Sequence, residues 1–286
     1  MSASHVELII GSDPSAFDDY IGILTGEGFE GFWEDGPTLR AYIPAGRWSD
    51  SLQTAVAAAV QRSALLRSLP PPSISAHPVE SRNWNEAWEA TIRPVHVTER
   101  IVIAPTWNPH VAGPGELVLT IDPKMSFGTG YHESTRLMLR LIERHVQKGD
   151  RVLDVGTGTG VLAIAALKLG ADHATGVDVD EWAYENAREN AVLNGLAERF
   201  MVLKGDLQSV GEGLFDLIVA NIQRNVIEGM IDGFLTRLQP EGALLLSGLL
   251  ESDRGAIFAR LSSARFSLID EEKENEWIAL AAARRP

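Results

Sequence analysis

The stretch VLDVGTGTGVLAI, Val152 to Ile164, constrains this chain more than any other. A short apolar strand pattern runs into glycines 156, 158 and 160, and an apolar helix pattern follows at once. Strand, glycine turn and helix together open a βαβ unit, which commits the chain to a parallel sheet covered on both faces. The sequence downstream keeps that rhythm. RVLDVG, HATGVDVD, FMVLKGD, LFDLIVANI and GALLLSGLL read as strands. GVLAIAALKLGA, EWAYENARENAVLNG, a stretch ending near Leu238 and one starting at Asp253 read as the helices between them. The closing RFSLIDEEKENEWIALAAA, split by EEKENE, reads as an antiparallel hairpin at the sheet edge. The expected class is therefore α/β, a doubly wound, mostly parallel sheet with an antiparallel C-terminal hairpin.

The first eighty residues follow a different order. SHVELIIG, FEGFWED, PTLRAYIP and PSISAHPVE read as strands, the middle two joined across Gly36-Pro37. PSAFDDYIGILTGEG and SDSLQTAVAAAVQRSALLRSL read as helices, the second capped by Ser49 or Asp50. The order β-α-β-β-α-β suggests a small ferredoxin-like α+β sandwich. NWNEAWEATIRP then reads as a linker helix stopping before Pro94, with Trp84 and Trp88 as packing anchors. VHVTERIVIAP and GELVLTIDP read as two short strands leading into KMSFGTGYHEST. The expected domains are residues 1–80, a linker at 81–93, and 94–286.

The spacing of the glycines narrows the ligand. A dinucleotide fingerprint places its third glycine where Val161 stands, and no G-x-x-x-x-G-K-[ST] phosphate loop is present. Asp154, two residues before the first glycine, would oppose a pyrophosphate but suit a cation. S-adenosylmethionine carries a sulfonium and an α-ammonium group and no phosphate, and glycines let a bulky ligand lie against the backbone. Asp178 closes the next strand, where a carboxylate can accept two hydrogen bonds from a ribose diol. Asp206 ends the third strand near the expected adenine, the alternative being a loop cap. Asn221 ends the fourth strand, at the carboxyl edge where sheet ligands bind. There it can orient an incoming amine without acting as its base. Ile222, Gln223 and Arg224 follow it, so the aromatic platform that stacks a flipped nucleobase is absent.

Composition bears on the partner. With 25 Lys+Arg against 39 Asp+Glu the formal charge is −14, which disfavours direct nucleic-acid binding and suits a basic protein or a cationic small molecule. Residues 1–80 alone carry ten acidic and four basic side chains, consistent with a solvated surface or with docking of a basic protein. The absence of cysteine excludes disulfides, thiolate nucleophiles and cysteine-ligated zinc, and no metal is expected. With no signal-peptide pattern and no apolar run near ~18 residues, a soluble, cytoplasmic protein with no membrane contact is expected.

FGTGYHEST, LDVGTGTGVLAIAALKLGA, GVDVD, NAVLNG and VANI, with the lead-in AWEATIRPVHVTERIVIAPTW, resemble the bacterial ribosomal protein L11 methyltransferase family (PrmA) from about Trp84 to Gly248. The resemblance implies a Rossmann-like class I methyltransferase fold, with the N-terminal module matching the family's substrate-recognition domain in pattern. It implies S-adenosylmethionine as cofactor and methyl transfer to lysine side chains and the N-terminal amine of a basic ribosomal protein; a monomer is expected. Carried over, Thr135, Gly156, Asp178 and Asn221 would contact the cofactor, while Phe127, Gly128, Thr129, Gly130 and His132 would form a loop over its methionine end; from the residues themselves SFGTG reads as a flexible lid, with Gly128 and Gly130 permitting backbone approach and Phe127 excluding water. The chain departs from the family at Tyr131-His132-Glu133-Ser134-Thr135, where Thr-His-Pro-Thr-Thr is usual, and at GTGTG, where Gly-Cys-Gly-Ser-Gly is usual. His132 invites a general-base reading, but no partner for it is visible in sequence. A methyltransferase for another protein or a small amine, and a cofactor-binding protein without turnover, are the alternatives.

Overall fold

The computed structural model of the chain describes residues 3–80, 92–124 and 126–285. Two compact units divide it, Met1–Ala90 and Thr91–Pro286. Most of the expected linker helix at 81–93, Trp84 and Trp88 included, lies outside the described residues.

In the first unit four strands, β1 (Ala3–Gly11), β2 (Glu30–Asp35), β3 (Thr38–Pro44) and β4 (Ser73–Glu80), form an antiparallel sheet in the order β2-β3-β1-β4. Helices α1 (Phe17–Gly26) and α2 (Asp50–Leu66) complete the ferredoxin-like sandwich. The period-2 residues Val6, Leu8 and Ile10 of β1 share one core with Leu39 and Ile43 of β3 and with Tyr20, Leu24, Val56 and Val60 of the helices. Each such aliphatic side chain contributes about 1.5–3 kcal/mol when fully buried. Ser49 rather than Asp50 caps α2, accepting the Leu52 N–H at 3.2 Å.

The second unit begins with a three-stranded sheet where two strands were expected. Thr98 Oγ1 accepts the N–H groups of Arg100 and Ile101, so VHVTERIVIAP folds back into β5 (Val95–His96) and β6 (Ile101–Ala104), and β7 (Leu117–Thr120) pairs with β6 in parallel. After helix α3 (Glu133–His145) comes the main sheet. Its elements are β8 (Arg151–Val155), α4 (Val161–Leu169), β9 (His173–Asp178), α5 (Glu181–Leu193), β10 (Phe200–Lys204), β11 (Phe215–Asn221), α6 (Arg224–Arg237), β12 (Leu238–Leu250), α7 (Arg254–Ser263), β13 (Phe266–Glu274) and β14 (Trp277–Arg284). The strand order is β10-β9-β8-β11-β12-β14-β13, parallel from β10 to β12 and antiparallel in the last two pairs. Leu217 and Val219 of β11 face one core and Ile218 and Ala220 the other, which is why LIVA is apolar without alternation. Strand order reverses between β8 and β11, so their carboxyl ends splay into a crevice.

Helix α3 is an element that the sequence reading does not assign. Its arginines recur every four residues, and they meet carboxylates that recur every two along β13: Arg136 and Arg140 pair with Glu274, and Arg144 with Asp270 and Glu272. Four helical residues advance about 6 Å and two strand residues about 6.6 Å, so the row of arginines runs alongside the row of carboxylates. The charged segment of the C-terminal hairpin is therefore strand rather than turn, and the turn itself falls at Asn275, where φ is +53°. Burial opposes ionisation of Glu274, yet the Arg136 hydrogen bond and the Arg136 and Arg140 charges hold its carboxyl below the usual range.

Candidate active site

The crevice has a volume of about 500 Å³ and is walled by the ends of β8, β9, β10 and β11. Asp178, Asp180 and Asp206 are in its lining, together with Gly156, Gly158, Phe127 and Asn221, and among the described residues no lysine or arginine lines it. A cavity of this size suits a small cofactor.

Every backbone N–H of the glycine turn is already used. Gly156 and Thr157 donate to Val177 O, Thr159 to Phe127 O and Gly160 to Thr157 O, all within 2.8–3.2 Å. Gly158 donates to Asp178 Oδ2 at 2.9 Å. A phosphate cradle needs those groups free. Acidic walls and spent donors fit a ligand that is cationic and lacks phosphate, as S-adenosylmethionine is.

The two acids nearest the glycines lie in different surroundings. Asp178 closes β9 and faces the crevice, its Oδ1 accepting Asp180 N–H at 3.1 Å while Oδ2 holds Gly158. Each oxygen keeps a further lone pair for a diol. Asp154 does not face the crevice. It is fully buried beneath the first turn of α4, where Oδ2 accepts the Thr157 hydroxyl at 2.7 Å and the Ala163 N–H at 3.3 Å, while Oδ1 has no partner. Burial, with the Asp178 charge adding to it, outweighs those hydrogen bonds and pushes its carboxyl from the ordinary 3.8 up to about 7. Asp206 lines the crevice and also caps a 3₁₀ turn at Leu207–Ser209, accepting Gln208 N–H at 2.9 Å.

The glycines answer to protein neighbours rather than to ligand volume. A Cβ on Gly158, where φ is +55°, would lie 2.4 Å from Phe127 O, and one on Gly156 would lie 2.3 Å from Ile222 Cγ2. Gly160 is the N-cap of α4, outside the crevice lining, and packs against Phe200 and Ala187 of the neighbouring β10 and α5.

Phe127 to Gly130 interlock with that turn. Besides the Thr159–Phe127 bond, Thr159 Oγ1 donates to Gly128 O at 3.0 Å, so the base of the segment expected as a flexible lid is tied to the glycine turn. Thr129 Oγ1 accepts Tyr131 N–H within its own turn, and Gly130 packs on Ile103. His132 is the N-cap of α3, its Nδ1 accepting Ser134 N–H, and its ring stacks edge-on against Phe127 and Trp277 at 5.2 and 4.5 Å. Those ring contacts help wall a second, smaller pocket, shared with Ser134, Gly248 and Ile222.

Asn221 lines both pockets. Its Nδ2 donates to Thr135 Oγ1 at 3.4 Å, and its Oδ1 is buried without a partner. Thr135 is fully buried and is not part of either pocket wall. Sequence reasoning missed Asp180, Gly248 and Trp277. An isolated glycine inside the strand GALLLSGLL was a legible signal for Gly248, whose φ is +79° and whose Cβ would lie 2.3 Å from Ile222 O. Nothing local marks Trp277, which only the antiparallel pairing of β14 with β12 brings to this edge.

Comparison with known proteins agrees with this geometry. The family model for ribosomal protein L11 methyltransferase (PrmA) matches residues 32–285. The ribosomal protein L11 methyltransferase of Pelotomaculum thermopropionicum is 37% identical over 281 residues, covering 96% of this chain and 89% of its own. That of Chlorobaculum tepidum is 36% identical over 280 residues, covering 96% and 95%. Among solved structures, the ribosomal protein L11 methylase of Lactobacillus delbrueckii subsp. bulgaricus superposes with a TM-score of 0.64 at 31% identity, covering 68% of this chain and 100% of that one.

Proposed function

The chain belongs to the ribosomal protein L11 methyltransferase (PrmA) family, and from that premise we propose that it transfers methyl groups from S-adenosylmethionine to amines of ribosomal protein L11, namely lysine side chains and the N-terminal amine. The observation that carries the amine reading is the unpartnered, buried Oδ1 of Asn221 where the cofactor crevice meets the smaller pocket. An acceptor buried without a donor costs about 1–3 kcal/mol, a cost that a substrate N–H relieves.

Asp178, Asp206 and the turn at Gly156 and Gly158 would hold the cofactor, which when bound supplies an electrophilic methyl group. The chain's own residues do the rest. Asn221 Oδ1 accepts an N–H of the incoming amine and so aims its lone pair into the crevice. Phe127, His132 and Trp277 wall the approach with rings that exclude water. An unperturbed lysine has a pKa of ~10.4, and desolvation favours the neutral amine that can act as a nucleophile. His132 spends Nδ1 on the helix cap, which leaves it an orienting and packing role rather than that of a base.

The test is incubation with labelled cofactor and purified L11, read by mass spectrometry of the modified protein. Labelled lysines and a labelled N-terminus are expected, and Asn221→Ala is expected to lower kcat about 100-fold with cofactor affinity nearly unchanged. Label in other ribosomal proteins but not in L11 would overturn the substrate. Transfer at the wild-type rate by Asn221→Ala would overturn the role given to that residue.

A further inference from the structure

We propose that Ser126 is a cofactor-binding residue whose hydroxyl donates to the α-carboxylate at the methionine end of S-adenosylmethionine, an inference that rests on the cofactor reading above. The acidic walls that suit a sulfonium raise a difficulty of their own. S-adenosylmethionine also carries a carboxylate, and a carboxylate taken out of water needs hydrogen-bond donors. The crevice has few. The N–H groups of the glycine turn are already used within the fold, and among the described residues no lysine or arginine is in the lining. Of the lining side chains, only Ser126, Asn221 and Gln223 carry an uncharged N–H or O–H donor. The Asn221 amide is turned to Thr135 Oγ1, and Gln223 is exposed at the N-cap of α6.

Ser126 stands apart from the other two. Its Oγ is buried and has no hydrogen-bond partner among the described residues, although the residue itself lines the crevice. Its backbone is held beside the glycine turn from both sides. Ser126 N–H donates to Pro123 O at 2.8 Å, and the next carbonyl, Phe127 O, receives Thr159 N–H at 2.9 Å and lies 2.4 Å from where a Cβ on Gly158 would be. With the backbone fixed, rotation about the single χ1 bond is enough to swing the hydroxyl from the interior to the crevice. A hydroxyl can also accept, and the cofactor's ammonium group is a donor. The supply of partners decides between the two. Asp178, Asp180 and Asp206 and the Oδ1 of Asn221 are acceptors along the same crevice, so the ammonium has other partners while the carboxylate depends on the scarce donors.

The experiment is calorimetric titration of the full chain, without L11, by S-adenosylmethionine and by its decarboxylated form. The second ligand keeps the adenosine, the sulfonium and the ammonium and lacks only the carboxylate. Ser126→Ala is expected to raise the Kd for S-adenosylmethionine about tenfold and to leave that for the decarboxylated form within about twofold of wild type. The free Ser126→Ala protein is expected to unfold at the wild-type temperature or above it, since no bond within the fold is lost. Equal weakening of both ligands would place the hydroxyl on the ammonium, the sulfonium or the adenosine and overturn the proposal. So would an unchanged Kd for S-adenosylmethionine, or a lower unfolding temperature of the free variant, which would mean that the hydroxyl has a partner inside the protein. Gln223→Ala is titrated in parallel, and a carboxylate-dependent loss there but not in Ser126→Ala would give the role to Gln223 instead. If the wild-type protein binds neither ligand, the cofactor reading itself fails and Ser126 with it, whereas tight binding that Ser126→Ala does not alter removes Ser126 alone.

Discussion

Asp154 and Asp178 end neighbouring parallel strands of one sheet, flank the same glycine turn, and do opposite things. Asp178 lies at the rim, lines the crevice and meets two backbone N–H groups with oxygens that still have capacity to accept. Asp154 lies in the floor, fully buried, and serves as a hydrogen-bond acceptor beneath the N-terminus of α4. One carboxylate is available to a ligand and the other holds the turn in shape. An acid near a glycine run can therefore belong to the scaffold as readily as to the site.

The floor should be the less tolerant of the two regions. Gly158→Ala puts a methyl group 2.4 Å from the carbonyl oxygen of Phe127 at a φ of +55°, and neither backbone segment can retreat without breaking the Thr159–Phe127 bond. Urea unfolding should show a loss of about 3–5 kcal/mol, or no folded protein at all. A loss under about 1 kcal/mol would mean that the interlock is loose.

The next largest effect separates the two acids by pH. The folded protein keeps the Asp154 proton up to about pH 7, whereas the unfolded chain releases it near the ordinary 3.8. The stability contributed by that proton is thus complete below about pH 4 and is lost as pH rises to 7. Asp154→Asn removes the titration, and the difference in unfolding free energy between variant and wild type should move in the variant's favour by about 2 kcal/mol from pH 5 to pH 7. Its cofactor Kd should stay within about threefold of wild type, since the carboxylate is not in the wall. Asp178→Ala should do the reverse, weakening cofactor binding about 100-fold by calorimetry, equivalent to about 2.7 kcal/mol. If Asp154→Asn weakened the cofactor more than Asp178→Ala, floor and rim would have to be exchanged.

The doubly wound sheet was legible because strand–glycine–helix spacing and continuous apolar strands leave few other arrangements. Asp178, Asp206 and Asn221 were legible for the same reason: the carboxyl ends of successive parallel strands meet at one edge. Which way Asp154 faces was a matter of parity. It shares a face with Val152, toward α4, while Val155, one residue on, turns to the crevice. Spacing from the glycines does not carry that information, but counting by twos along β8 does. Helix α3 was missed because its arginines interrupt the apolar pattern, and the reason for them lies in β13, some 130 residues away in sequence. The smaller pocket was legible only in part, since Trp277 reaches it through antiparallel pairing that no local motif encodes.

A control close to the crevice sharpens the contrast between floor and rim at the smallest scale. Gly229 stands within α6, between Val226 and Met230, which both line the crevice, so mere proximity to a ligand would forbid a side chain there. Its surroundings differ from those of Gly158 in the two respects that matter. Its backbone is helical, and a Cβ built on it meets nothing within 4 Å. Gly229→Ala should therefore raise stability by about 0.5–1 kcal/mol through the lower entropy of the unfolded chain and the better helix propensity of alanine, and leave the cofactor Kd unchanged. The same chemical change is then expected to carry opposite signs at two glycines of one site. A destabilised Gly229→Ala protein, or one that binds cofactor poorly, would show that ligand volume governs the glycines here, as the sequence alone suggests, and not the backbone path.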